Sequence, residues 1–185
     1  MVKVETPTVA KTPAVPRRIA SATRAAEAIL KTLIVDDEGA FVPPIDPYDI
    51  AEQMGIDVYL AVMPDKKSGF IEKKTPDDQA KVYINHRHSP VRQRFTLAHE
   101  LGHYFYETLQ GNECFDSLNR EDGHANLGTD PKERWANKFA AALLMPGGPL
   151  QTLVAQGETL PELASTFDVS EAAMSYRLSN LGLPN

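Results

Sequence analysis

The stretch Arg92-Gln93-Arg94-Phe95-Thr96-Leu97-Ala98-His99-Glu100-Leu101-Gly102-His103 decides how the rest of the 185-residue chain is read. Ser89-Pro90 ahead of it offers an N-cap residue and a proline at the first helical position, so a long helix is expected from there to about Thr108. His99 and His103 stand four residues apart in that helix and share one face, so both imidazoles can reach a single cation. Glu100 is turned away far enough to meet a water there in place of the cation. Gly102 costs about 1 kcal/mol in a helix interior relative to alanine, and close approach of a second backbone would account for it.

A catalytic site of this kind takes three protein ligands and keeps one position open, so a third ligand has to be found. Two candidates lie downstream, His124 in a polar stretch and Glu133 on a helix that Asp130-Pro131 opens and that runs through Met145. Glu133 is preferred, although a glutamate at a helix start often does no more than complement the helix dipole. Glu133 and Asn137 are four apart on one face, which lets one helix present a carboxylate to the cation and an amide to a ligand histidine. Phe139, Leu143 and Leu144 form an apolar face expected to be core. Pro146-Gly147-Gly148-Pro149 ends this helix.

Upstream, Ile19 to Ile34 repeats apolar residues at helical spacing, and Asp46-Pro47 starts a short helix ending near Gly55. Val58 to Met63, Gly69 to Lys73 and Lys81 to Asn85 read as strands, with turns at Pro64 and at Thr75 to Asp78. A small antiparallel meander of about three strands is expected. Gly111 to Gly128 reads as a polar surface loop. Two short helices, Pro161 to Phe167 and Ser170 to Asn180, follow with Leu163, Phe167, Met174, Leu178 and Leu181 inside. The expected class is α+β, one domain over residues 19–185 preceded by a flexible, proline-bearing tail over 1–18.

Composition narrows the function. With 19 Lys plus Arg against 25 Asp plus Glu the formal net charge is −6, which gives no general field for phosphate backbones or anionic lipid. The longest purely apolar run, Phe139 to Met145, is far short of a membrane span. The start of the chain lacks the apolar core of an export signal, and the single cysteine, Cys114, forms no internal disulfide, so a cytoplasmic setting is expected. His86 and His88 are assigned no ligand role. Tyr104, Tyr106, His124, Tyr176 and Arg177 are all of a type that can stabilise an oxyanion, and sequence does not choose among them.

The run Arg92 to His103, followed by Glu133-Arg134-Trp135-Ala136-Asn137-Lys138-Phe139-Ala140-Ala141-Ala142-Leu143-Leu144-Met145-Pro146, resembles the ImmA/IrrE metallopeptidases. The resemblance covers roughly Asp46 to Leu183. It implies a zincin-like fold and a gluzincin-like site, with His99, His103 and Glu133 as ligands of one divalent ion, zinc first and manganese second, and Glu100 as general base. It also implies a protein substrate, a helix-turn-helix repressor whose cleavage induces a mobile element or stress regulon. Trp135 stands where many relatives carry a charged residue.

A rival reading is a DNA-binding or toxin-type regulator that retains the metal site without broad proteolysis. Leu163 to Leu178 has the cadence of a helix-turn-helix, yet from Leu160 to Asn185 only Arg177 is basic, while Glu162, Asp168 and Glu171 are acidic. Structural packing is the preferred role for this segment, and no direct nucleic-acid contact is expected.

Overall fold

The computed structural model describes residues 21–33, 42–116 and 130–184. The expected tail over 1–18 and His124 lie outside them. Helix α1 (Ala22–Leu33) buries Ala22, Ala26 and Leu30, one residue per turn. Helix α2 (Pro47–Gln53) starts as the Asp-Pro pair predicts, with the Asp46 carboxylate accepting from the Tyr48 N–H at 2.9 Å and proline in the first turn.

Three strands follow, β1 (Asp57–Ala61), β2 (Gly69–Lys73) and β3 (Lys81–Asn85), and their arrangement corrects the expected antiparallel meander. β3 lies between the other two, antiparallel to β2 and parallel to β1, and a two-residue strand β4 (Phe115–Asp116) pairs with the far end of β2. The sheet is therefore mixed and four-stranded, and the segment expected to be all loop from Gly111 opens with a strand. The physical reason lies in β3, whose Val82 and Ile84 are fully buried, so it takes the centre, while β1 exposes Tyr59 and Leu60 and takes an edge. Asn85, at the end of β3, holds the crossing connection in place. Its Nδ2 donates to the carbonyls of Met63, Pro64 and Lys67 at 3.3, 3.2 and 2.8 Å.

Helix α3 (Pro90–Gln110) packs on strands β2 and β3 of the sheet. A Cβ on Gly69 would lie 2.6 Å from the Tyr83 carbonyl oxygen and 2.7 Å from the Thr96 Cγ2, so only glycine fits where β2 meets α3. Ser89 makes no side-chain cap; the Gln93 side chain instead donates to the His88 carbonyl at 2.8 Å. Arg94 ties the helix to two neighbours, donating to the Ile45 carbonyl at 2.7 Å and pairing through Nε with Asp168 at 2.9 Å.

Helix α4 (Pro131–Leu144) packs on α3 and α1, with Phe139, Leu143 and Leu144 fully buried as expected. Pro146 ends it, but the Gly147-Gly148-Pro149 segment begins a further helix, α5 (Gly147–Ala155), that the proline-glycine run had concealed. Pro149 is tolerated because it sits in the first turn, where its missing N–H has no intrahelical partner to lose. Helices α6 (Leu160–Thr166) and α7 (Glu171–Leu181) complete the fold, with Leu163, Phe167, Met174 and Leu178 in the core. Arg177 is buried and donates from Nε to the Met145 carbonyl at 2.9 Å. The one basic side chain of the helix-turn-helix-like segment thus joins α7 to the end of α4 and is withdrawn from any phosphate contact.

Candidate metal centre

The site is made where α3 and α4 cross. Gly102 faces α4, and a Cβ there would stand 2.9 Å from the Ala136 Cα and 3.1 Å from its carbonyl oxygen. The missing side chain lets the backbones approach, which is the close contact that glycine in mid-helix implied. Glu133, three residues before Ala136, and Asn137, the residue after it, face the α3 histidines. Asp130 caps α4 by accepting from the Lys132 N–H at 2.8 Å, so the first turn that carries Glu133 has a defined start.

Three donor groups converge. His99 Nε2 and His103 Nε2 are 3.0 Å apart. The Glu133 carboxylate reaches both, with Oε2 3.2 Å from His99 Nε2 and Oε1 3.2 Å from His103 Nε2. His99 Nδ1 lies 3.0 Å from the Asn137 Oδ1, which assigns its proton to Nδ1 in the neutral ring and leaves the Nε2 lone pair turned toward the other two groups. Ligands of a tetrahedral zinc at about 2.0–2.1 Å stand about 3.3–3.4 Å from one another, so this donor set fits a small divalent cation with little adjustment. The side chains of His99 and Glu133 are 16% and 22% exposed while that of His103 is 3% exposed, so the cluster is open to solvent on one side only. That is the form of a site with a free position for a reactant.

Electrostatics agree with the geometry. Burial opposes charge on His99, but the Glu133 hydrogen bond and the charges of Glu100 and Glu133 outweigh it and raise its pKa above the usual imidazole value. Burial likewise pushes the Glu133 carboxyl up, and the two histidines overcome it, holding Glu133 well below the usual carboxylate range.

Glu100 is buried beside His99 on α3. Of the residues expected as oxyanion donors, Arg177 is committed to the Met145 carbonyl, and Tyr104 packs its ring edge-on against Phe105 and Phe115. Tyr106 packs against Trp135, which itself stacks on Phe139, so the tryptophan extends the core between the helices. Tyr176 is 70% exposed on α7, and His88 Nε2 contacts the Asp65 carbonyl oxygen at 3.1 Å, away from the histidine pair. Two features were missed in the sequence. Glu107 is buried one turn beyond His103, and Lys132, next to Glu133, pairs with it at 2.8 Å. The four-residue step from His103 to Glu107 was the available signal.

Residues 51–179 match the family model of Peptidase M78, the IrrE N-terminal-like domain. The chain belongs to this family. Among similar proteins, the radiation response metalloprotease IrrE of Deinococcus deserti is 35% identical over 107 residues, which is 56% of this chain and 37% of that protein. The metallopeptidase ImmA of Bacillus subtilis is 28% identical over 121 residues, 62% of this chain and 64% of that one. The matched region thus spans less than two thirds of either relative. A solved Mycobacterium tuberculosis transcriptional regulator shares the fold, with a TM-score of 0.60 at 22% identity, over 89% of this chain and 48% of that chain. Among the described residues no helix is long and apolar enough to cross a membrane.

Proposed function

We propose that the chain is a metal-dependent endopeptidase in which His99, His103 and Glu133 hold one divalent cation, Glu100 is the general base and Asn137 orients His99. The observation that carries this reading is the convergence of the two Nε2 atoms and the Glu133 carboxylate within 3.0–3.2 Å at the crossing of α3 and α4. The relatives named as a metalloprotease and a metallopeptidase support it. Zinc is the cation of first choice because two imidazoles and a carboxylate suit it, with manganese second.

A bound cation would supply Lewis acidity toward the attacking water and the scissile carbonyl. The chain's residues do the rest. Glu100, one residue from a ligand and turned off its axis, accepts the proton of the attacking water and delivers it to the leaving amine. Asn137 fixes the tautomer of His99, so that Nε2 and not Nδ1 faces the cation. Glu133 adds one negative charge to two neutral rings, which leaves the centre net positive and able to polarise a carbonyl.

The substrate class we propose is a helix-turn-helix repressor cut at one exposed segment, in the cytoplasm. Broad proteolysis there would harm the cell, and a chain of net charge −6 favours encounter with a basic DNA-binding protein. Wild type and Glu100→Gln are incubated with a candidate helix-turn-helix repressor and with casein, the metal being varied. Cleavage of the repressor that requires Glu100 supports the reading. Efficient Glu100-dependent degradation of casein with the repressor intact overturns the specificity, and an absence of metal-dependent cleavage of either substrate overturns the peptidase assignment.

A further inference from the structure

The third ligand stands in the weakest part of its helix. Glu133 lies in the first turn of α4, where backbone N–H groups have no intrahelical partner and the chain frays most easily. A metal site needs that carboxylate held within a fraction of an ångström, and the Asp130 cap alone secures only the backbone.

The side chain next to it is anchored from below. The Lys132 ammonium lies 2.8 Å from Glu107 Oε1, and Asn112 donates from Nδ2 to Glu107 Oε2 at 2.5 Å. Glu107 is 4% exposed and sits four residues beyond His103 on α3, so the pair joins the metal helix to the first turn of α4 immediately beside Glu133. Lys132 also lies 5.7 Å from the centre of the Tyr106 ring, which limits where its ammonium can go. Both its ends are therefore fixed, the N–H by Asp130 at 2.8 Å and the Nζ by Glu107. A buried carboxylate is costly unless paired, so the Glu107–Lys132 pair is a place where the fold has put an expensive interaction, and its position assigns the reason.

We infer that Glu107 and Lys132 are positioning residues that hold the first turn of α4 so that the Glu133 carboxylate meets His99 and His103. This rests on the proposed metal site. The pair touches neither cation nor substrate, and it acts only through Glu133.

The test is a double-mutant cycle read by zinc affinity, titrating metal-free full-length protein against a chromophoric chelator. Lys132→Met in the native background is expected to weaken zinc binding by roughly tenfold or more, the scale found when groups behind metal ligands are removed. In a Glu133→Gln background the same substitution is expected to change affinity by less than about twofold, since the ligand it positions is gone. Equal losses in both backgrounds, or no loss in the native one, overturn the inference. If Lys132→Met strands the Glu107 charge and unfolds the protein, the pair Glu107→Gln with Lys132→Met removes that charge and enters the same cycle. If Glu133→Gln alone leaves zinc affinity unchanged, the metal-site reading falls and takes the positioning role with it. If Glu133→Gln weakens binding and Lys132→Met does not, only the positioning role falls.

Discussion

Gly102 of α3 lies against Ala136 of α4 so closely that an added methyl group would stand 2.9 Å from the Ala136 Cα. This contact sets the separation between the helix that carries two proposed ligands and the helix that carries the third. Gly102→Ala would gain up to about 1 kcal/mol in helix propensity. It would lose about 1–3 kcal/mol to overpacking, because the obstructing atoms are backbone. The net expectation is a lower unfolding midpoint together with weaker metal binding, as α4 is pushed away from His99 and His103. A calorimetric melt and a zinc titration on the same sample check both; a variant more stable than wild type with full affinity would show that the helices do not need this approach.

Asn137 accepts from His99 Nδ1 at 3.0 Å and touches no other proposed ligand in that bond. Asn137→Ala is expected to weaken metal binding by about 10–100-fold while the fold is kept, since removing a group that orients a ligand histidine has that scale. Asn137→Asp keeps an acceptor and should recover most of the loss. Far-ultraviolet circular dichroism beside the titration separates loss of orientation from loss of structure.

The proton and the cation compete for one place. With the pKa of His99 raised in the metal-free fold, its contribution to stability is complete below the ordinary value near 6.5 and is lost as pH rises through the raised value. For Glu133, whose pKa is lowered, the contribution is present above the ordinary value near 4.5 and is lost as pH falls through the depressed one. From this cluster alone the metal-free protein is therefore most stable between those ordinary values and weakens as pH rises above them. Metal affinity runs the other way over the neutral range, falling as pH drops and His99 takes up its proton. Thermal melts of metal-free protein from pH 5 to about 8.5, with zinc titrations across the same series, test both slopes; parallel slopes would contradict the competition.

Arg177 is buried with its Nε on the Met145 carbonyl. Arg177→Met leaves that carbonyl without this donor at a cost of about 1–3 kcal/mol, which lowers the unfolding midpoint by roughly 2–12 °C for a chain of this size. Tyr176→Ala, on the exposed side of the same helix, should stay within about 0.5 kcal/mol of wild type. Equal and small effects at both positions would show that α7 is not fastened through Arg177.

What could be read in the sequence was local. Helix starts at Asp46-Pro47 and Asp130-Pro131 follow from one residue pair each, and the buried faces of α1 and α4 follow from spacing, so both kinds of expectation match the structure. The meeting of His99, His103, Glu133 and Asn137 was legible because each pair lies four apart on its own helix, and because Gly102 pointed to a second helix close by. Strand order was not legible. β1 is parallel to β3 because β3 takes the centre, and the crossing connection is held by Asn85, whose three carbonyl partners lie 18 to 22 residues away. α5 was hidden because proline and glycine mark helix ends in sequence while they also suit a helix's first turn. The Glu107–Lys132 pair spans 25 residues and two helices, so the four-residue step from His103 placed Glu107 on the same face of α3 but did not name Lys132 as its partner.

Glu100 is proposed to supply the base while His99, His103 and Glu133 supply the cation site, and a single comparison separates these roles. Wild type and Glu100→Gln are purified in parallel, their bound metal is counted by elemental analysis, and cleavage of the proposed repressor substrate is followed with zinc in excess. Glu100→Gln is expected to carry the same one equivalent of metal and to cleave at least about a hundredfold more slowly, the lower bound for losing a positioned general base. Cleavage at the wild-type rate with Glu100 replaced would contradict it.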